Sequence, residues 1–152
     1  MKSKVIIAFL SVLILSQNCF AQLCAALKDV AAGETHTLAL AEDGSLWACG
    51  GSYPYYELGL GDISGNILSL QRVLDGDMNT ASGYLENVVD FDAGWMHSLA
   101  ATSDGFCFAW GFNDESYGLL GNGPNEGSSN VPILVHGVND VDYLQNIVKV
   151  SA

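Results

Sequence analysis

The sequence predicts an all-β fold built from antiparallel sheets, and three observations lead to that prediction. First, residues 30–50 and 91–111 align without gaps and share nine of twenty-one residues, where chance would give about one or two. Second, each copy carries an Asp-Gly pair between two short apolar runs, which is the pattern of a β-hairpin with a tight turn. Third, these runs are apolar on both faces, and no later segment shows sustained helical periodicity.

The apolar runs also predict how the sheets pack. In the second copy one strand face carries Phe106, Phe108 and Trp110, and the other carries Cys107 and Ala109. A strand of this kind needs cover on both faces, which small antiparallel sheets obtain when they pack face to face around an axis. The sequence therefore predicts antiparallel β-propeller blades.

The repeat extends beyond the hairpins and predicts the domain organisation. The first copy covers about residues 27–84, the second about 85–143, and residues 144–152 match the opening of a third. We therefore expect a repeat region over 22–152 with two blades and the start of a third, which is an incomplete ring. Repeat arrays generally need at least three units, so the remaining blades are expected from a missing C-terminal part or from self-association.

Residues 1–21 have the anatomy of a secretory signal peptide. Two lysines form a basic start, an apolar run of eleven residues follows over 5–15, and Ala21 provides a small residue for cleavage. This run is too short to span a bilayer. We expect a secreted, cell-surface or periplasmic protein with no membrane insertion after cleavage; cleavage after Ala26 is the alternative.

The charge balance narrows the partner classes. After the signal segment the chain keeps 3 basic and 17 acidic residues, a formal charge of −14. Such a surface repels phosphate backbones and anionic lipid, which argues against nucleic acid as a partner. A basic partner, or bound divalent cations, would suit it.

The cysteines do not form a disulfide framework. Cys24, Cys49 and Cys107 follow the signal segment, and an odd, sparse set is untypical of one. The aligned copies place Cys49 and Cys107 about 10 Å apart along equivalent strands, beyond disulfide reach. We expect both as small buried apolar residues, and a bridge between them is the alternative.

The repeated motifs resemble those of a known family. The succession A-G-x-x-H-[ST]-L-A, D-G, an aromatic residue before A-x-G, and L-G-x-G is similar to the regulator of chromosome condensation repeat over residues 27–152. Residues 110–123 resemble that family's W-G-x-N-x-x-G-Q-L-G-x-G with two extra residues, and Leu119 stands where Gln is usual. The first copy departs more, since Cys49 replaces the tryptophan. The resemblance implies seven-bladed β-propeller repeats, and the signal segment leads us to expect an exported, bacterial member of the family.

Other motifs predict no catalytic chemistry. His36 and His97 recur at one repeat position, which favours buried scaffold imidazoles bonded to backbone groups, and His136 is isolated. The glycine-rich loops GLGDISG and GNGPNEG each have one residue too many for a phosphate-binding loop and open onto no helical pattern. We therefore expect no catalytic residue and no nucleotide cofactor.

One loop has part of a calcium-binding pattern. Positions 1, 3, 5 and 12 of such a loop would be filled by Asp75, Asp77, Asn79 and Glu86. Thr80 stands where a glycine makes the turn, and no helices flank the loop. An ordinary solvated loop between blades is the favoured interpretation, with calcium ligation as the alternative.

Three tyrosines surround Pro54 in another loop, namely Tyr53, Tyr55 and Tyr56. Clustered tyrosines suit protein or sugar contacts, because each ring offers a large amphipathic area at low entropic cost. The alternative is that they cover the edge of a blade.

The predicted function is that of a secreted, non-enzymatic binding module whose partner is another protein, with specificity in its loops. One alternative is the structural front end of a larger exported enzyme or adhesin. Another is nucleotide exchange on a small GTPase, which the resemblance implies for the family's eukaryotic namesake. The signal peptide and the acidic charge argue against that activity, and fold alone does not decide function.

Overall fold

The described part of the chain folds into two four-stranded antiparallel sheets. The computed structural model describes residues 27–51, 54–63, 65–114, 116–124 and 126–152; the predicted signal segment, Cys24 and Tyr53 lie outside them. The first sheet contains β1 (Leu27–Ala32), β2 (His36–Ala41), β3 (Leu46–Gly51) and β4 (Asn66–Arg72). The second contains β5 (Val88–Ala93), β6 (His97–Thr102), β7 (Cys107–Gly111) and β8 (Ser129–Leu134). The described ranges contain no α-helix, and the predicted all-β fold is confirmed.

Each sheet is a meander in which strands adjacent in sequence are adjacent in space. The turn between β2 and β3 contains Gly44 with φ of 81°, and the turn between β6 and β7 contains Gly105 with φ of 89°. Glycine adopts positive φ at little steric cost, which is why the Asp-Gly pairs locate these hairpins correctly. We call the two sheets the first blade and the second blade.

A shared apolar core joins the blades. Its buried members include Leu38, Ala48, Leu58, Ala100, Phe108 and Trp110. Strand β7 is buried along its whole length, because its two faces are both covered as the sequence predicts. In β3, Trp47 and Cys49 remain half-buried, since their face points away from the second blade. Cys49 and Cys107 are free thiols; Cys107 is buried as the sequence predicts, whereas the prediction was wrong for Cys49, which is only half-buried.

The last residues repeat the contact that the blades make with each other. The amide of Val88, at the start of the second blade, donates to the carbonyl of Gly44 at 3.0 Å. In the same way, the amide of Ile147 donates to the carbonyl of Gly105 at 2.9 Å. The amide of Val150 also donates to Asp90 Oδ2 at 2.7 Å. Residues 144–152 thus lie against the second blade as the second blade lies against the first.

Two short 3₁₀ turns, Gly76–Met78 and Val138–Asp140, lie in the connections that follow the blades. Within the described residues, no helix has the length and apolar character needed to cross a bilayer.

Candidate interaction surface

A buried hydrogen-bond network crosses the contact between the blades. His36 Nε2 lies 2.9 Å from the Oγ of Ser98, and that hydroxyl donates to the main-chain carbonyl of Glu57 at 2.9 Å. The indole of Trp110 donates to the same carbonyl at 2.8 Å. Because the serine has only one proton to give, His36 must donate to it through a protonated Nε2. Its Nδ1 is then an acceptor, and this buried atom has no partner among the described residues.

The hydrogen-bond partner of His36 differs from the backbone group that the sequence predicts. His36 is 2% exposed and holds the blades together, as a scaffold residue should, but it bonds a hydroxyl of the neighbouring blade instead of a backbone group. Burial, followed by the charge of His97, lowers the pKa of His36 to about 4. Burial also lowers the pKa of His97, against the opposing charge of Asp92. The His36 imidazole is therefore neutral near neutral pH.

Glu57 is the second unusual group at the contact. The residue is 2% exposed, and its Oε2 has no hydrogen-bond partner in the described part of the chain. Burial raises the pKa of its carboxyl, and the charge of Glu34 raises it further. The second blade has Leu119 at the matching position, so the carboxyl itself is not a requirement of the repeat.

The structure does not gather the predicted calcium ligands around one point. Asp77 Oδ2 accepts the amide of Leu134 in the second blade at 2.9 Å, and Glu86 lies 3.8 Å from Arg72. The Oδ2 of Asp75 accepts the hydroxyl of a neighbouring threonine at 3.3 Å, and Asn79 has left-handed φ and ψ at the end of the 3₁₀ turn. Across the described ranges, no group of three or more His, Cys, Asp or Glu side chains could hold a metal ion. Calcium ligation thus stays an alternative to the favoured solvated loop, for experiment to test.

Tyr55 and Tyr56 of the predicted binding loop lie half-buried. Tyr55 packs edge-on against Phe112 of the second blade, with ring centroids 5.1 Å apart and an interplanar angle of 75°. The carbonyl of Tyr56 accepts the amide of Gly59 at 3.2 Å. Tyr55 thus contributes to the contact between blades; a binding role for the loop stays a prediction.

Sequence reasoning missed a more exposed surface on the second blade. Trp95 is 65% exposed, Tyr117 80% and Leu119 44%. Together with Met96, they line a cavity of about 410 Å³, and we call these four residues the aromatic edge. His97, Phe112 and Asp114 complete the walls of the cavity.

Sequence differences between the two copies indicate part of this surface. Trp95 occupies the position that Glu34 fills in the first copy, and Leu119 the position of Glu57. Both changes replace an acidic side chain with a large apolar one. A position-by-position comparison of the copies would therefore have identified Trp95 and Leu119.

The repeat described as "Regulator of chromosome condensation (RCC1) repeat" matches residues 27–53 and residues 104–152. Protein RCC1 of Candida albicans is 32% identical over 129 residues, which cover 83% of this chain and 27% of that protein. Protein pim1 of Schizosaccharomyces pombe is 38% identical over 116 residues, which cover 72% of this chain and 20% of that protein. Guanine nucleotide exchange factor SRM1 of Saccharomyces cerevisiae is 30% identical over 138 residues, which cover 82% of this chain and 26% of that protein.

Solved structures agree with this relationship. Human WBSCR16 superimposes with a TM-score of 0.56 at 25% identity, over 73% of this chain and 25% of that one. Yeast RCC1 (Prp20), solved bound to Kap60, superimposes with a TM-score of 0.55 at 26% identity, over 74% of this chain and 25% of that one. A structure of Prp20p from Saccharomyces cerevisiae, described together with its binding to Gsp1p and histones, gives 0.55 at 26% identity, over 74% and 26%.

This chain spans only a fifth to just over a quarter of the length of these relatives. None of them is named as a catalytic enzyme, which agrees with the prediction of a non-enzymatic chain. The repeated motifs, the two four-stranded blades and these similarities lead to one conclusion: the chain belongs to the regulator of chromosome condensation repeat family and has its β-propeller blade architecture.

Proposed function

We propose that this chain is an exported, non-enzymatic protein-binding module, and that the aromatic edge contacts the partner. The observation that carries the proposal is the 65% exposure of Trp95 beside an apolar cavity, because the matching residue of the first blade, Glu34, is exposed although the second blade packs against the first. Tyr117 matches Tyr55, which packs against the second blade, so the exposure of Tyr117 does not support the proposal. Tryptophan and tyrosine contribute disproportionately to the binding energy of protein interfaces. A contiguous exposed apolar patch is also a mark of an interaction site.

The charge of the chain supports a partner with a basic surface. The whole chain has 17 acidic and 5 basic residues, and Asp114 lies at the wall of the cavity. Complementary charge speeds association and disfavours wrong partners. Among the relatives, the description of Prp20p names Gsp1p and histones as proteins that it binds, and Kap60 is bound in another structure.

Export is supported by the lysines and the apolar run of residues 1–21. The proposal is tested by sequencing the N-terminus of the natural protein in each cell fraction. A protein that begins at Gln22 outside the cytoplasm is the expected result. An intact Met1 on a cytosolic protein would overturn this part of the proposal.

The binding surface can be tested by placing a photo-crosslinking amino acid at Trp95 in the natural host. The matched control carries the same group at Leu68, which is 94% exposed on β4 of the first blade. We expect one discrete protein adduct at position 95 that is absent at position 68. Adducts that are the same at both positions would contradict the assignment of the surface.

A second candidate function is nucleotide exchange, because 138 residues of this chain are 30% identical to the exchange factor SRM1. The assay is release of fluorescent GDP from a Gsp1-type GTPase in the presence of the purified chain. The favoured proposal expects no acceleration over GTPase alone. A large acceleration that depends on the chain's concentration would support exchange instead.

A further inference from the structure

The loops at one end of the two blades carry acidic side chains without basic ones. In each antiparallel meander, the connection between the first two strands and the connection between the last two lie at the same end of the sheet. These connections are residues 33–35 and 52–65 in the first blade and residues 94–96 and 112–128 in the second, and we call them the acidic end. They contain no Lys or Arg, and their acidic residues are Glu34, Glu57, Asp62, Asp114, Glu115 and Glu126.

The basic residues lie towards the opposite end. Lys28 is the second residue of β1, and Arg72 is the last residue of β4. Lys149 directly precedes Val150, whose amide bonds Asp90 near the start of β5. Among the described residues, the two ion pairs also lie at that end, and they are Arg72 with Glu86 and His136 with Asp140. The carboxylates of the acidic end therefore have no ion-pair partner in the described part of the chain.

Trp95 lies among these carboxylates. An added Cβ on Gly33 would lie 2.5 Å from the carbonyl oxygen of Gly94, so the two loops touch, and Glu34 and Trp95 are the residues that follow these glycines. Asp114 lines the same cavity as Trp95. The scaffold does not need the indole, because the first copy has Glu34 at this position. Glu34 stays exposed beside a packed blade, so the lack of a further blade does not account for the 65% exposure of Trp95.

An exposed indole beside carboxylates selects a cationic group. The face of an indole attracts a cation that lies within about 6 Å of the ring centroid, and arginine makes this contact more often than lysine. Because the guanidinium is planar, it can stack on the ring while its N–H groups donate to a carboxylate. The same carboxylates would repel an anionic partner.

We propose that the acidic end binds an arginine-containing segment of a partner protein, with one guanidinium stacked on Trp95 near Glu34 and Asp114. This inference rests on the proposed binding role of Trp95 and names the chemistry of the partner.

The first test titrates the purified protein with acetylated tetra-arginine amide and follows the indole N–H signals by nitrogen-15 NMR. Trp95→Phe assigns the Trp95 signal, while Trp47 on β3 and Trp110 on β7 report on the rest of the blades. We expect the peptide to shift the Trp95 signal in a saturable way and to leave the other two in place. Tetra-citrulline amide, in which a neutral urea replaces each guanidinium, should shift none of them. Equal shifts with citrulline, or equal responses of all three indoles, would overturn the proposal.

The second test measures affinity through the fluorescence anisotropy of a labelled tetra-arginine peptide. We expect Trp95→Ala to weaken binding about two- to fivefold, and Glu34→Gln to weaken it by a similar factor. Glu42→Gln is the matched control, because it removes the same charge from an exposed turn at the opposite end. It should leave the affinity nearly unchanged at physiological salt, where the Debye length is about 8 Å. Unchanged binding by Trp95→Ala, or equal losses in the two glutamine variants, would contradict the proposal.

The crosslinking experiment at position 95 separates this inference from the proposed function. Mass spectrometry of the adduct identifies the partner segment that is attached, and we expect that segment to contain arginine. A discrete adduct in a segment without arginine would overturn the inference and leave the binding role intact. The absence of any discrete adduct would contradict both.

Discussion

His36 of the first blade donates from Nε2 to the Oγ of Ser98 in the second blade, across 2.9 Å and 62 positions of sequence. In the repeated motif the histidine is followed directly by Ser or Thr, so this bond joins the histidine of one copy to the hydroxyl residue of the next. The Ser98 hydroxyl donates onward to the carbonyl of Glu57. One dipeptide of the repeat thus provides both halves of the polar contact between blades.

Ser98→Ala should destabilise the protein by about 1–3 kcal/mol, because it leaves the buried donor of His36 without an acceptor. Urea unfolding at neutral pH measures the change. Ser69→Ala is the matched control, since Ser69 is exposed on β4 and should change stability by less than about 0.5 kcal/mol. Equal losses in the two variants would show that the inter-blade bond contributes nothing.

The free energy of unfolding should decrease as the pH is lowered, because the buried His36 imidazole resists protonation. Burial lowers the pKa of His36 from 6.5 to about 4, so the native state binds fewer protons than the unfolded state between these values. The contribution is complete above the unfolded pKa and is lost as the pH falls. From about pH 7.5 to about pH 5 this amounts to about 2 kcal/mol.

The comparison is between the parent protein and His36→Gln, each unfolded in urea at both pH values. His97 adds a loss of the same sign, since burial lowers its pKa. Glu57 acts in the opposite direction, because its pKa is raised and its contribution is lost as the pH rises. The variant should lose about 2 kcal/mol less than the parent over the same range. Identical pH dependence in both proteins would refute the assignment to His36.

Glu57→Gln should stabilise the protein near neutral pH. Burial raises the pKa of this carboxyl, so its charged form is disfavoured in the folded state, whereas an amide is neutral. The gain should be modest, roughly 0.5–1 kcal/mol, because the buried amide also loses its hydrogen bonds to water. It should shrink towards pH 4 as the carboxyl takes up a proton. Glu34→Gln, at an exposed position, is the control; a Glu57→Gln variant less stable than the parent at neutral pH would contradict the expectation.

Gly111→Ala should destabilise the second blade. Gly111 has φ of 104°, and an added Cβ would lie 2.6 Å from the carbonyl oxygen of Met96 and 2.8 Å from the Cα of His97. We expect a loss of about 2–3 kcal/mol. Gly127→Ala is the control, because nothing lies within 4 Å of its added Cβ. A thermal melt in which both variants match the parent would disprove the strain argument.

Calcium should leave the melting temperature unchanged to within about 1 °C, since a ligand that binds the native state would raise it. The physical reason is that Asp77 is engaged by the amide of Leu134 and Glu86 faces Arg72. Melts in millimolar calcium and in chelator make the comparison. A clear rise with calcium that disappears in Asp75→Asn would instead establish a site in this loop.

Local patterns predicted the hairpins well because their causes are local. Gly44 and Gly105 have the positive φ that a tight turn requires, and the apolar runs beside them become β2, β3, β6 and β7. The burial of β7 on both faces also followed from the sequence, since a strand apolar on both faces must be covered twice. His36 was correctly taken as a buried scaffold residue, although its partner is a hydroxyl of the next blade and not a backbone group. His97 is only half-buried.

By itself, the sequence determined the repeat, the all-β fold, the hairpin turns and the family, because each depends on residues close together or on a motif stated twice. Only the tertiary structure decided that His36 bonds Ser98, that Tyr55 packs against Phe112, and that Trp95 and Tyr117 share one exposed cavity. Those relationships depend on how one blade lies against the next or on how separate turns meet in space. Pairing and burial between distant segments follow from packing geometry, which a local pattern does not contain.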